Sequence, residues 1–125
     1  MSNYQHMNPN PKGKNVGDCT VRAIANATNQ EWDKVYFDLC LQGYMESDMP
    51  SSDTVWGKYL TENGWNYYRL QDTCPFCYTV SDFADDHKDG TYILGTGSHA
   101  VCVKDGKILD AWDSSDKVPL FYFER

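Results

Sequence analysis

No stretch of this chain approaches the roughly 20 consecutive apolar residues of a membrane-spanning helix, so no membrane partner is expected. The opening segment MSNYQHMNPNPKGKN carries no apolar run of the kind found in a secretory signal. These two absences predict a soluble, cytoplasmic protein. Basic residues are also few. Eleven Lys and Arg stand against 18 Asp and Glu, for a formal net charge of −7. No cluster of cations offers the phosphate-binding face that nucleic-acid recognition needs, and nucleic acid is not an expected partner. Internal repeats and low-complexity segments are absent. A single CxxC, with no second one to complete the roughly four ligands of a zinc site, predicts no metal, and no cofactor is expected.

The 125 residues suffice for one core, and the 41% hydrophobic and 14% aromatic content can fill it, so residues 1–125 are read as one domain. Its five cysteines are Cys19, Cys40, Cys74, Cys77 and Cys102. An odd count without an export signal argues against a disulfide framework and predicts reduced thiols.

Residues 1–16, with Pro9, Pro11 and Gly13, read as a polar N-terminal arm. A first helix starts near Asp18 or Cys19 and runs to about Ala27, with Val21, Ile24, Ala25 and Thr28 on one stripe and Cys19, Arg22 and Ala23 on another. Thr28 and Glu31 have capping-box spacing ahead of a second helix. In that helix Trp32, Val35, Tyr36, Leu39 and Cys40 repeat at helical spacing, and Gly43 is a plausible stop. A third helix from Ser51 or Ser52 buries Val55, Trp56, Tyr59 and Leu60 and ends at Asn63-Gly64. Beyond it, WNYYRL (65–70), TYIL (91–94), HAVCV (99–103), KILDAW (107–112) and VPLFYF (118–123) read as strands, with a short helix over 80–87 capped by Ser81. Helices first and an antiparallel sheet afterwards define an α+β domain.

Cys19 opens its helix after a glycine-containing loop. The positive end of the helix dipole favours a thiolate there, and unpaired N–H groups can receive an oxyanion. Arg22, one turn on, adds positive charge. Asp105-Gly106 is a two-residue hairpin signal. With that turn, Lys104 pairs with Lys107 and Val103 with Ile108. His99, Val101, Val103, Ile108, Asp110 and Trp112 then share one face. His99 and Asp110 are diagonal neighbours within side-chain reach, and the acid would fix the imidazole tautomer. Trp112 is placed to shield them. A one-residue slip would substitute Asp113 for Asp110, but it would also scatter the apolar face. His6 and His87 lie in polar sequence without such a partner.

A Cys at a helix start, then a His on a strand, then an Asp on the next strand resembles the papain-like cysteine peptidase superfamily. Asp110-Ala111-Trp112 is similar to the Asn-Ser-Trp that follows the histidine strand of papain-type enzymes. Gly17-Asp18-Cys19 with Arg22-Ala23-Ile24 resembles the nucleophile motif of OTU-type deubiquitinases. GTYILGTGSHAVCVKDGKILDAWDSS is similar to small uncharacterised proteins of tailed phages. The resemblance implies a papain-like fold and a cysteine-dependent hydrolase of an amide, isopeptide or thioester bond, acting on a peptide or protein. It implies Cys19, His99 and Asp110 as catalytic residues, with Asn15, Asp18 and Trp112 at the oxyanion or substrate site. Gly13 stands where papain-type enzymes carry an oxyanion glutamine, and Asn15 is the nearest amide side chain. Two other readings are open. The scaffold could serve as a non-catalytic phage-type binding or inhibitor protein. Alternatively Cys74-Pro75-Phe76-Cys77, which resembles the CPYC of glutaredoxins, could exchange disulfides.

Overall fold

A computed structural model describes residues 3–125. Strand β1 (Tyr4–His6) is followed by helices α1 (Cys19–Thr28), α2 (Trp32–Glu46) and α3 (Asp53–Glu62). Strand β2 (Asn66–Arg69), helix α4 (Val80–Asp86) and strands β3 (Thr91–Gly95), β4 (Ala100–Lys104), β5 (Lys107–Asp110) and β6 (Phe121–Glu124) complete the chain. The α+β class holds. The sheet is mixed rather than antiparallel, because the arm expected to be free contributes β1, which pairs parallel with β5. The strand order is β1-β5-β4-β3-β6-β2.

The hairpin forms in the expected register, with Lys104 opposite Lys107, Val103 opposite Ile108 and Cys102 opposite Leu109. Asp105 and Gly106 both adopt positive φ, 50° and 77°, as a tight turn that follows the sheet's twist requires. Alternation along these strands feeds two cores. Ala100, Cys102 and Leu109 pack with Ile24, Leu39 and Trp56 on the side of α1, α2 and α3. Val101, Val103 and Ile108 pack with Val80 and Phe83 of α4 on the other. Residues 100–103 are therefore buried on both faces, which explains an uninterrupted apolar run.

Helix α1 is more deeply set than its one-stripe pattern implies. Every residue from Thr20 to Ala27 is buried, Arg22 included. Helix α2 is less so. Val35 and Leu39 are buried, whereas Tyr36 and Cys40 are exposed. The Thr28–Glu31 capping box does not form. Thr28 is the last residue of α1 and its hydroxyl donates to the Ile24 carbonyl at 2.7 Å. The reciprocal box belongs to α4, between Thr79 and Asp82, and its cap Thr79 stands two residues before the Ser81 assigned from sequence. Cys74 and Cys77 are joined as a disulfide, against the expectation of reduced thiols; a separation of three residues brings their Cα atoms to 4.1 Å.

Gly43 does not end α2. It lies inside the helix, where a Cβ would stand 2.7 Å from the Asp48 carbonyl oxygen and 3.2 Å from the Pro50 nitrogen. The returning backbone, not helix termination, demands the glycine. Alanine is the better helix former by about 1 kcal/mol. The clash is with backbone and outweighs that preference, so Gly43→Ala should destabilise the fold by about 1–3 kcal/mol. A lower melting midpoint in thermal denaturation checks this, and an unchanged or raised midpoint contradicts it.

Candidate active site

Antiparallel connections bring the end of β3, the start of β4, the end of β5 and the start of β6 to one end of the sheet. His99 immediately precedes β4 and Asp110 is the last residue of β5, so both lie at that end, opposite the Asp105-Gly106 turn. The His99 backbone is fixed by its carbonyl, which accepts from the Thr96 N–H at 2.9 Å and the Thr96 hydroxyl at 3.3 Å. The ladder between β4 and β5 closes at Cys102–Leu109. Beyond it the Asp110 backbone pairs with β1, opposite His6, with the Met7 N–H donating to its carbonyl at 2.8 Å.

His99 Nε2 donates to Asp110 Oδ2 at 2.7 Å. The same oxygen accepts from the Ser114 hydroxyl at 2.7 Å, while Oδ1 accepts from the Ala111 N–H at 2.8 Å. Asp113 is turned away and accepts from the Ser115 N–H at 3.0 Å. The choice of Asp110 over Asp113 by hairpin register therefore matches the geometry. With Nε2 engaged, Nδ1 is the ring nitrogen that remains for Cys19, and thiol and imidazole are near enough for each to shift the other's titration.

Cys19 is the first residue of α1, half-buried against the helix-side core. Burial alone would push its thiol up. The hydrogen bond with His99, the Ala100 N–H aimed at the sulfur, and the positive charges of His99 and Arg22 outweigh that and hold the thiol below its ordinary value. Burial likewise works against a charged His99. Its hydrogen bonds to Asp110 and Cys19, and their negative charges, raise it to about 9. Desolvation opposes the Asp110 charge too, but the bonds from His99 and Ser114 and the His99 charge keep the carboxyl below its usual range. The arrangement favours a thiolate–imidazolium pair. It persists from the lowered Cys19 value up to about pH 9, where His99 gives up its proton.

The remaining sequence-assigned residues fall into different places. Trp112 is 41% exposed and its ring lies 4.5 Å from the His99 ring between centroids, so it shields the imidazole from solvent as expected. Asn15 lies exposed in the loop before Cys19. The Asp18 side chain is buried and turned inward. It pairs with Arg22 and accepts from Trp32 Nε1 at 2.9 Å and Asn10 Nδ2 at 3.2 Å. Although it occupies the N-cap position it makes no side-chain cap bond. The first helical bond is the Arg22 N–H to the Asp18 carbonyl, so no side chain of the cap residue occupies the N–H groups ahead of it.

Two participants were invisible to sequence reasoning. Ser114 is fully buried, although nothing in its local sequence marks it. The Ala100 N–H has no side-chain signature. Arg22 was read as adding positive charge beside Cys19, and its charge does lower the thiol, but the guanidinium is also clamped between Asp18 and Asp110. His6 and His87 have other roles. His6 Nδ1 meets the Tyr4 hydroxyl at 3.3 Å. His87 stacks on Phe83 at 3.7 Å between centroids, an aromatic setting its polar sequence neighbours did not announce. Among the described residues, no group of three or more His, Cys, Asp or Glu is arranged to hold a metal ion.

A groove of about 310 Å³ borders the loop before Cys19 and is lined by Val16, Gly17, Thr20, Tyr36, Cys40 and Pro50. Compared with protein-family models, with curated proteins and with solved structures, the chain matches none.

Three thiols are free, and they differ sharply. Cys102 is buried, and burial pushes it up to about 12, while Cys40 is exposed. Near about pH 6.5, iodoacetamide should modify Cys19 first, although Cys40 is the more accessible. In His99→Ala the Cys19 rate at that pH should fall by about tenfold or more, and in Asp110→Ala by less. Peptide mapping of the alkylated protein reads both. Preferential labelling of Cys40 refutes the thiolate assignment.

Proposed function

We propose that the chain is a cysteine-dependent acyl hydrolase or transferase on a papain-like scaffold, acting on an amide, isopeptide or thioester bond of a peptide or protein. The observation that carries this reading is the 2.7 Å bond from His99 Nε2 to Asp110 Oδ2, with the Cys19 thiol near enough to the same ring for each to shift the other's titration. An imidazole raised to about 9 beside a lowered thiol favours the thiolate form of the nucleophile.

In the proposed reaction the Cys19 thiolate attacks the carbonyl carbon. A C–S bond forms and the carbonyl π electrons move to oxygen. The N–H groups at the start of α1 receive this oxyanion, because Asp18 leaves them uncapped. His99 gives its proton to the leaving nitrogen or sulfur as the bond to carbon breaks, leaving a thioester on Cys19. Neutral His99 then takes a proton from water or from an acceptor nucleophile. That nucleophile attacks the thioester and Cys19 departs as thiolate. Asp110 keeps Nε2 as the donor nitrogen throughout, so Nδ1 makes both proton transfers.

A second reading has its own observation. The Cys74–Cys77 disulfide lies in a loop whose tip, Phe76, is 88% exposed. Reduced, the pair could pass electrons to another disulfide.

Incubation with peptide thioesters, followed by intact-mass analysis, tests the first reading. An acyl adduct should appear on Cys19 and discharge to water or amine. Cys19→Ala should form none, and His99→Ala should acylate at least about a hundredfold more slowly, in line with general-base loss. Cys74→Ser/Cys77→Ser should acylate normally. If the wild type forms no adduct but reduces a mixed disulfide, and the double serine variant does not, the redox reading replaces the first.

A further inference from the structure

Beyond the three reactive residues, the site contains a second buried ionic chain. Arg22 is 5% exposed, Asp18 7% and Asp110 2%. One arm of the Arg22 guanidinium, Nη1, pairs with Asp18 Oδ1, and the other, Nη2, lies 3.5 Å from Asp110 Oδ1. Nε of Arg22 is the one buried side-chain nitrogen or oxygen among the described residues without a hydrogen-bond partner. The two carboxylates therefore supply most of the compensation for a desolvated cation. Arg22 is also the only group other than His99 that ion-pairs with Asp110 among the described residues.

We propose that Asp18 and Arg22 are positioning residues that act as a charge-balancing pair: Asp18 neutralises Arg22 and so leaves the Asp110 carboxylate to His99. The inference rests on the reading of Cys19, His99 and Asp110 as the reactive set. Its physical basis is competition. A cation beside Asp110 Oδ1 draws on the same negative charge that holds the imidazolium through Oδ2. Uncompensated, Arg22 would weaken that hold and repel the imidazolium as well. The Asp18 carboxylate is the closer of Arg22's two partners and is itself fixed by Asn10 and Trp32, so the cation leans away from Asp110.

The other titratable groups around this centre come from several elements. Cys19 faces His99 from α1. From β1, the Tyr4 hydroxyl donates to the Asp110 carbonyl at 3.2 Å, and His6 stands opposite Asp110 in the sheet. From the segment after β5, Asp113 acts on Tyr4, and Lys117 lies 5.8 Å from the Trp112 ring centroid. None of these is an ion-pair partner of Arg22.

The pair makes a prediction of opposite signs. Asp18→Asn keeps the shape, and its one carbonyl oxygen can still accept from Trp32 and Asn10, but it frees the Arg22 charge. The His99 titration, followed by NMR of labelled imidazole, should move down by about one pH unit. Arg22→Gln removes the competitor and should move it up. The combined Asp18→Asn/Arg22→Gln variant removes both charges and should return it close to the wild type. A purely structural role predicts a downward shift in every variant, deepest in the combined one, and that result overturns the proposal. So does an Asp18→Asn titration at or above the wild-type value, a comparison that stands even if Arg22→Gln does not fold. Arg22→Lys, which retains the charge, should stay near the wild type. Cys19→Ser serves as the separate control on the reactive set. If it leaves the His99 titration unmoved, the thiolate–imidazolium pair is refuted, while the Asp18 and Arg22 comparison is still read from the same resonance.

Discussion

A carboxylate removed from water is costly unless most of its acceptor capacity is filled, and Asp110 meets that condition from four directions. His99 and Ser114 share Oδ2, while the Ala111 N–H and Arg22 reach Oδ1. Its backbone carbonyl takes the Met7 N–H and the Tyr4 hydroxyl. These partners come from the sheet end, helix α1, the loop after β5 and the N-terminal strand. Satisfying one buried charge thus assembles elements distant in sequence, and the same contacts that make Asp110 tolerable give the imidazole its direction.

The setting of Cys19 depends on a related economy of side chains. An aspartate at a helix N-cap ordinarily turns its carboxylate onto the first-turn N–H groups. Asp18 is instead drawn to Arg22, one turn along the helix, with Trp32 and Asn10 holding it there. The helix start is left with its dipole and its donors directed outward beside Cys19. Stabilising the interior and exposing the helix terminus are consequences of a single rotation of the Asp18 side chain.

What could be read from sequence was local. Asp105-Gly106 set the hairpin register, and register brought His99 beside Asp110 and kept Asp113 apart. The helical start at Cys19 followed from the pattern after Gly17. What could not be read was long-range or conformational. Three residues of an apparently polar arm, Tyr4 to His6, carry no periodic signal, and their strand exists only because β5 offers an open edge. Ser114 is buried by the chain around it rather than by its own character. Arg22 belongs to a residue type that is almost never fully buried unless paired, and both of its partners had to be known before its burial made sense. Gly43 resembled a helix terminator because composition does not reveal that a later segment, Asp48 to Pro50, passes against it.

Helix α1 has no solvent-facing side between Thr20 and Ala27. A helix so enclosed cannot rock or slide to meet an incoming molecule without opening the core of Ile24, Leu39 and Trp56 around it. The sulfur is therefore a fixed point, and the helix's amides beyond its uncapped first turn are expected among the last to exchange with solvent, with the global stability of the domain as their protection. Induced fit must be carried by the irregular segments around it: the stretch ahead of Asp18, the Thr96–Ser98 turn, and the loop from Ala111 to Leu120. Diversification of what binds here would accordingly proceed by rewriting those segments while the helix stayed constant.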